Sequence, residues 1–219
     1  MPFAARHRDD PTPALPPLDG LTVARETDPA TMAALQGRTE EEMRRRLADG
    51  HRAYVARYLG EPAAWGWVAT RTAEIGELRS TFAIPAGERY LWNFVTLASH
   101  RGLGIYPRLL EAIVRAERRE AARFWIAYAP ENHASGSGIR KAGFTSLAEL
   151  SFDGDGRAAL RSLVPGGGAV ASRVLGLPEV ADALAPCWRC ARAGRTGPSC
   201  CAGHQGGCDY QRPTVGCAA

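Results

Sequence analysis
The stretch from Arg89 to Leu110, RYLWNFVTLASHRGLGIYPRLL, leaves this chain few folds to choose from. From about Tyr90 to Leu97 it is aromatic and β-branched, apolar at almost every position. This is the pattern of a strand covered on both faces. A polar turn, Ala98-Ser99-His100, leads into Arg101-Gly102-Leu103-Gly104-Ile105-Tyr106. An amphipathic helix follows to about Ala121, with Leu109, Leu110, Ile113 and Val114 on its inner face. A covered strand running through a short glycine turn into a helix predicts a layered α/β domain. It also predicts an anion site. The first N–H groups of a helix have no intrahelical partner, the dipole there favours negative charge, and glycine lets a phosphate come close to the backbone.

The flanking sequence supplies the other layers. Residues 1–19, rich in Pro, Asp and Arg, read as a disordered arm. Leu21 to Arg25 is a short strand, and Asp28 or Thr31 caps a helix through Leu35 and Gln36. Thr39 and Glu42 have capping-box spacing at the start of a second helix, which Gly50 ends. His51–Leu59 and Ala63–Arg71 form a hairpin about Gly60-Glu61-Pro62. The connection Thr72–Glu88 is long enough to carry function and to hold a short strand of its own. Downstream come a strand at Phe124–Tyr128, a turn and helix from Asn132 to Ala142-Gly143-Phe144, and a strand at Leu147–Phe152. Gly154-Asp155-Gly156 turns into a partner at Arg157–Leu163. Gly166 to Gly168 reads as a flexible link within a linker spanning 164–186, with a short helix at Glu179–Leu184. The order is that of a mixed α/β domain over residues 20–163, with helices on both faces.

Composition excludes some functions. No run approaches the ~18 apolar residues of a membrane span. The first residues carry charges and prolines where a signal peptide has an apolar core, so the expectation is a cytoplasmic protein. The net charge of +4 is spread along the chain and almost all Arg. It points to a solvated basic surface rather than a nucleic-acid partner. All six cysteines follow residue 186, which sets the tail 187–219 apart. Cys187-x-x-Cys190 has the spacing of half a tetrahedral zinc site, which Cys201 with His204, or Cys200 with Cys208, could complete. Free or redox-active thiols and disulfides remain the alternatives.

Two motifs in the right order resemble the GNAT superfamily of acyl-CoA-dependent N-acyltransferases over roughly residues 20–163. Arg101-x-x-Gly104-x-Tyr106 is similar to the family's (Gln/Arg)-x-x-Gly-x-(Gly/Ala). Asn132-x-x-Ser135, leading to Lys141-Ala142-Gly143-Phe144, is similar to its second motif. The resemblance implies a mostly antiparallel central sheet and a fold of α/β (α+β) type. It implies that the backbone of Arg101, Gly102, Leu103, Gly104, Ile105 and Tyr106 binds the CoA pyrophosphate. It also implies that Asn132 and Ser135 flank the pantetheine arm, and that an amide among Val95, Thr96 and Leu97 faces the thioester oxygen. Tyr106 stands where the family has a small residue, and Ile139 where it often has a tyrosine that protonates the leaving thiolate.

Acetyl transfer from acetyl-CoA to a primary amine, by direct attack in a ternary complex, then needs orientation, an oxyanion donor and a base. Glu77 in the long connection is the chosen base, with Glu88 and His100 as alternatives. Asn93, the polar exception on the central strand, either orients the acceptor or a water, or satisfies backbone at a bulge. Trp65, Trp67, Tyr90 and Trp92 read as core. The competing reading is a non-catalytic module that binds CoA or a partner, with the tail as recognition element; Ile139 supports it. The acceptor and the oligomeric state are left open.

Overall fold
The computed structural model describes residues 1–76, 80–130, 132–153 and 157–181. Ten strands and five helices alternate along them. They are β1 (Pro2–His7), β2 (Leu21–Glu26), α1 (Pro29–Gln36), α2 (Glu40–Ala48), β3 (Arg52–Tyr58), β4 (Glu61–Ala69), β5 (Thr72–Ile75), β6 (Ser80–Ala83), β7 (Glu88–Thr96), α3 (Ile105–Glu117), β8 (Arg123–Ala127), α4 (His133–Lys141), β9 (Thr145–Phe152), β10 (Ala158–Ser162) and α5 (Gly167–Leu175). Eight strands form one sheet in the order β10-β9-β1-β8-β7-β4-β3-β2, and β5 pairs with β6 apart from it. Every pairing in the large sheet is antiparallel except β7 with β8. The expected mixed, mostly antiparallel sheet with helices on both faces is therefore present.

Local chemistry accounts for the helix ends. Asp28 caps α1, its carboxylate accepting from the Ala30 and Thr31 amides, and Pro29 opens the helix. Gly37 closes it in the left-handed conformation, at φ 61°. Thr39 caps α2 by accepting from the Glu42 amide, acidic residues fill the first turn, and Arg45 and Arg46 fill the last. Strand alternation then divides the core between the two faces of the sheet. Leu91, Phe124, Ile126 and Tyr54 pack with α3 and α4 on one face. On the other, Trp65 and Trp67 lie under α1 and α2, while Tyr90, Trp125 and Phe3 lie under α5 and the β5–β6 hairpin.

Three expectations are corrected. Residues 2–7 belong to no disordered arm: β1 lies inside the sheet, between β8 and β9. Phe3 and Ala4 are fully buried, and Arg6, also buried, donates to the Ala142 carbonyl at 3.0 Å. Alanines at 4 and 5 let the strand fit between two neighbours, and Pro2 at its start costs the ladder little. The glycines at 166–168 are not a flexible link. Gly166 caps α5 at φ 72°, and a Cβ on Gly167 would come within 2.1 Å of the Leu147 carbonyl oxygen, so close packing excludes a side chain there. With Ala171, Val174 and Leu175 buried, α5 extends the domain past residue 163. The described part of the expected helix at Glu179–Leu184 is not helical; Glu179 makes a single parallel bridge with Leu160. The remainder of that helix, and the turn at 154–156, lie outside the described residues.

What positions the site is the end of β7. It pairs with β8 only from Glu88↔Arg123 to Leu91↔Ile126, after which the two strands part. On its other side the register with β4 shifts between Trp67↔Trp92 and Trp65↔Val95, so Asn93 and Phe94 stand opposite the single residue Gly66. Asn93 takes φ 52°, in the left-handed region. A Cβ on Gly66 would sit 2.0 Å from the Phe94 ring. Gly66→Ala is therefore expected to cost about 1–3 kcal/mol through overpacking. Its midpoint of thermal unfolding should fall, and an unchanged midpoint would argue that the bulge can relax around a methyl group.

Candidate active site
A cavity of about 970 Å³ opens between the end of β7, the turn after it, the first turn of α3 and the start of α4. Phe94, Val95 and Thr96 line it from β7. His100, Arg101, Gly102, Gly104, Ile105 and Tyr106 line it from the turn, and Asn132, Ser135 and Lys141 from the α4 side. Its lining includes Arg101, Arg108 and Lys141 and, among the described residues, no Asp or Glu. A cleft of one sign suits a polyanion.

The glycine turn is built as an anion cradle. Gly102 (φ 81°) and Gly104 (φ 71°) are both left-handed, and Gly104 precedes α3 with no side-chain cap. The first-turn amides are thereby left for a ligand, and Pro107 has none to satisfy. Two guanidinium groups brace the turn. Arg101 donates through Nε to the Thr96 carbonyl at 3.2 Å. Arg108 donates to the Gly104 carbonyl at 2.7 Å and, through Nε and Nη2, to the Pro16 carbonyl at 3.0 and 2.7 Å. That second clamp brings Ala14, Leu15 and Pro16, expected to be disordered, to the cleft as a further wall.

On the other side, Asn132 caps α4, its Oδ1 accepting from the Ser135 amide at 3.0 Å. Its side-chain NH2 is what remains to offer a ligand. Tyr106 crosses from α3 to α4. Its hydroxyl lies 3.3 Å from Ser135 Oγ, its ring centroid 5.6 Å from that of Phe94, and its ring fills the space where Gly138 has no Cβ. Burial pushes the Tyr106 phenol up to about 12, so it stays protonated at neutral pH. Ile139 is fully buried in the core and offers no proton.

Most of the expected ligand-binding residues converge on this cleft; Leu97 and Leu103 do not line it. The Leu97 amide already donates to the Ala63 carbonyl at 2.9 Å, and Leu103 points to solvent. Of Val95, Thr96 and Leu97, the first two line the cleft, at the end of β7 that β8 has left. Glu88 sits at the other end of β7, where it accepts from the Trp125 indole. His100 lines the cleft beside the turn, with Nδ1 2.9 Å from Ser99 Oγ. Trp65, Trp67 and Tyr90 are buried core, as expected, and Trp92 is half-buried. Asn93 is exposed at the bulge and donates through Nδ2 to Gln36 Oε1 at 3.2 Å. It stands at the bulge, but its side chain bonds another side chain rather than backbone, and Asn93 itself does not line the cleft.

Glu77 lies outside the described residues, as do Cys187, Cys190, Cys200, Cys201, His204 and Cys208. Among the described residues no group of three or more His, Cys, Asp and Glu could hold a metal ion, and no helix is long and apolar enough to cross a membrane. Sequence reading missed Arg108, Lys141 and residues 14–16, which line the cleft. For Lys141 a signal existed, since it is the chain's only lysine and falls inside the second motif.

A sequence model described as the Acetyltransferase (GNAT) family matches residues 21–144, more than half of the chain. No curated protein matches the chain in sequence. Several solved structures are similar at low identity. A GCN5-related N-acetyltransferase from Kribbella flavida is 20% identical with a TM-score of 0.45; the match covers 66% of this chain and 53% of that one, so the chain spans about half the length of that protein. A ribosomal-protein-alanine N-acetyltransferase from Brucella melitensis biovar Abortus 2308 is 12% identical over 56% of this chain and 89% of its own, with a TM-score of 0.43. A GNAT family acetyltransferase from Elizabethkingia anophelis, solved with acetyl-CoA bound, is 13% identical over 61% and 79%, also at 0.43.

Proposed function
Because the chain belongs to the acetyltransferase (GNAT) family, we propose that it transfers the acetyl group of acetyl-CoA to a primary amine by direct attack in a ternary complex. The observation that carries this reading is the uncapped α3 N-terminus, opening with a left-handed Gly104 onto a cleft lined by cations and leading to the unpaired edge of β7. The group needed is a polyanion with an extended arm, and the cleft suits one. Backbone amides from Gly102 to Tyr106 would hold the pyrophosphate, with Arg101, Arg108 and Lys141 supplying charge. The Asn132 NH2 and Ser135 would face the arm, and Val95 and Thr96 at the end of β7 would lie along it. Acetyl-CoA supplies the activated acetyl thioester.

The chain's own residues orient the two partners and manage the amine. Asn93 accepts a hydrogen bond from the acceptor nitrogen, and Glu77 is the proposed base that takes its proton. A C–N bond forms as the C–S bond breaks. The thiol leaves with a proton drawn from water, balancing the one the amine has lost. Buried Ile139 leaves the leaving thiolate without a side-chain acid at that position.

Purified protein incubated with acetyl-CoA and a panel of amines, including amino acids, polyamines, aminoglycosides and peptide N-termini, is expected to release free thiol and acetylated product with at least one of them. No acetyl-CoA binding by calorimetry would end this reading. Binding without turnover on any acceptor would favour the non-catalytic module that Ile139 supports.

A further inference from the structure
We propose that Gln36 is a positioning residue for the acceptor amine. It holds the Asn93 side chain by its NH2, so that the Asn93 carbonyl oxygen is the atom turned to the incoming nitrogen. This inference rests on the acetyl-transfer reading and adds a residue to it that neither motif contains.

Groups that can only donate fix the orientation of both amides. Gln36 is the last residue of α1 and is half-buried. Its Oε1 lies 3.3 Å from Trp67 Nε1, 3.3 Å from Arg46 Nη1 and 3.2 Å from Asn93 Nδ2. An indole N–H and a guanidinium have no acceptor to offer. The atom of Gln36 facing them must therefore be its oxygen, and the group of Asn93 facing that oxygen must be its NH2. The other end of the Gln36 amide agrees: Nε2 donates to the Met32 carbonyl at 3.3 Å and meets Met43 Sδ at 3.2 Å.

The two donors that set this polarity are themselves fixed. Trp67 is fully buried. Arg46 is paired with Glu42 at 2.6 Å and packs over the Trp67 and Trp92 rings, its guanidinium carbon 5.3 and 4.8 Å from their centroids. Packing beneath α1 and α2 thus dictates the orientation of an exposed amide on the bulge of β7. Its remaining atom, Oδ1, is an acceptor on the residue that precedes Phe94 and Val95 in the chain; those two line the cleft, and Asn93 stands just outside its lining. An amide oxygen in that place accepts an N–H from an ammonium or a neutral amine alike, so it can hold the nucleophile before and after deprotonation.

A double-mutant cycle tests the assignment on the full chain, with the acceptor that the amine panel yields. Gln36→Met removes the oxygen and keeps an unbranched side chain. It is expected to lower acceptor kcat/KM about tenfold, the scale of one hydrogen bond, while the acetyl-CoA Kd stays unchanged. Gln36→Glu keeps an acceptor for all three donors and should recover most of the loss. In an Asn93→Ala background, Gln36→Met should cost nothing further. Equal losses in both backgrounds, a parallel loss of acetyl-CoA affinity, or no recovery with Gln36→Glu would overturn the proposal. Should Gln36→Met fail to fold, Asn93→Asp decides, because it sets a carboxylate oxygen against Gln36 Oε1. It is expected to be as poor as Asn93→Ala, and wild-type turnover by Asn93→Asp would overturn the assignment. Absence of thiol release by the unaltered protein with every amine overturns the parent reading, and this inference with it. That outcome is distinct from activity that is indifferent to Gln36.

Discussion
Gly104→Glu is expected to weaken acetyl-CoA binding by at least about 100-fold, or roughly 3 kcal/mol, while leaving the domain folded. Two separate effects add to that figure. Gly104 stands at φ 71°, and a side chain there bears the left-handed penalty of about 1–2 kcal/mol. Its Cβ would also meet Arg108 Nη1 at 2.5 Å, forcing that guanidinium off the Gly104 carbonyl. The second effect is charge. A carboxylate placed at the positive end of α3 takes up the attraction that a phosphate would otherwise receive, worth about 0.3–2 kcal/mol in such geometry. It then repels the phosphate as well. Gly104→Ala carries only the first effect, so its affinity loss should be about tenfold or less. The gap between the two variants measures the electrostatic part and should shrink as salt is raised. Calorimetry with acetyl-CoA reads the affinity, and thermal unfolding shows that the fold survives. If Gly104→Glu binds as tightly as the unaltered chain, the turn after β7 is not where the pyrophosphate lies.

That prediction could be written from the sequence because glycine turn, strand and helix are contiguous, and contiguous features leave local signals. The caps at Asp28 and Thr39 and the strand β7 were legible for the same reason, although β7 is covered only as far as Leu91; from Trp92 on it is half-buried or exposed, because β8 has parted from it. Features made by distant pairings were not. β1 pairs with residues near 125 and 147, and its small, alanine-rich pattern before a proline-rich segment gives no periodicity to read. Once β1 is fixed, the chain after it must run over α3 and α4 to reach β2. This places Pro16 beside Arg108, although nothing in the sequence around Pro16 announces an acceptor for a guanidinium. Asn93 stood out as a polar residue in an apolar strand, and its bulge depends on Gly66 in another strand. Gln36 gave no signal at all, because its partners lie on α2, β4 and β7 and only folding brings their donors to one oxygen. The glycines at 166–168 misled for the opposite reason. They look like chain flexibility, yet at Gly167 the backbone carbonyl of Leu147 leaves no room for a Cβ.

Replacing Glu117, the buried carboxylate at the far end of α3, is expected to have the largest effect on stability. Glu117 is 2% exposed and accepts from Tyr54 Oη at 2.6 Å, Arg52 Nη1 at 2.6 Å and Arg89 Nε at 2.9 Å. It ties the end of α3 to β3 and to the start of β7, the strand that carries the bulge. Glu117→Gln leaves the buried Arg89 guanidinium without that counter-charge and turns an amide NH2 toward donors. Breaking such a pair costs about 3–5 kcal/mol, which at roughly 2–4 °C per kcal/mol lowers the unfolding midpoint by about 6–20 °C. The pH dependence follows from the balance at the carboxyl. Burial pushes its pKa up, but hydrogen bonds from Tyr54, Arg52 and Arg89 outweigh burial and hold it below its ordinary value of 4.5. A depressed carboxylate stabilises the fold above its unfolded pKa, and that contribution is lost as pH falls through the lower, folded value. The gap in midpoint between the unaltered chain and Glu117→Gln should thus be constant near neutrality and narrow as pH drops below about 4.5. A gap that persists unchanged into acid would mean that shape, not charge, makes the site. Because α3 has 13 residues, at 1.5 Å each Glu117 lies about 20 Å from the glycine turn. Below its unfolding midpoint, the variant should therefore bind acetyl-CoA as the unaltered chain does, separating the frame that holds α3 and β7 together from the cleft they enclose.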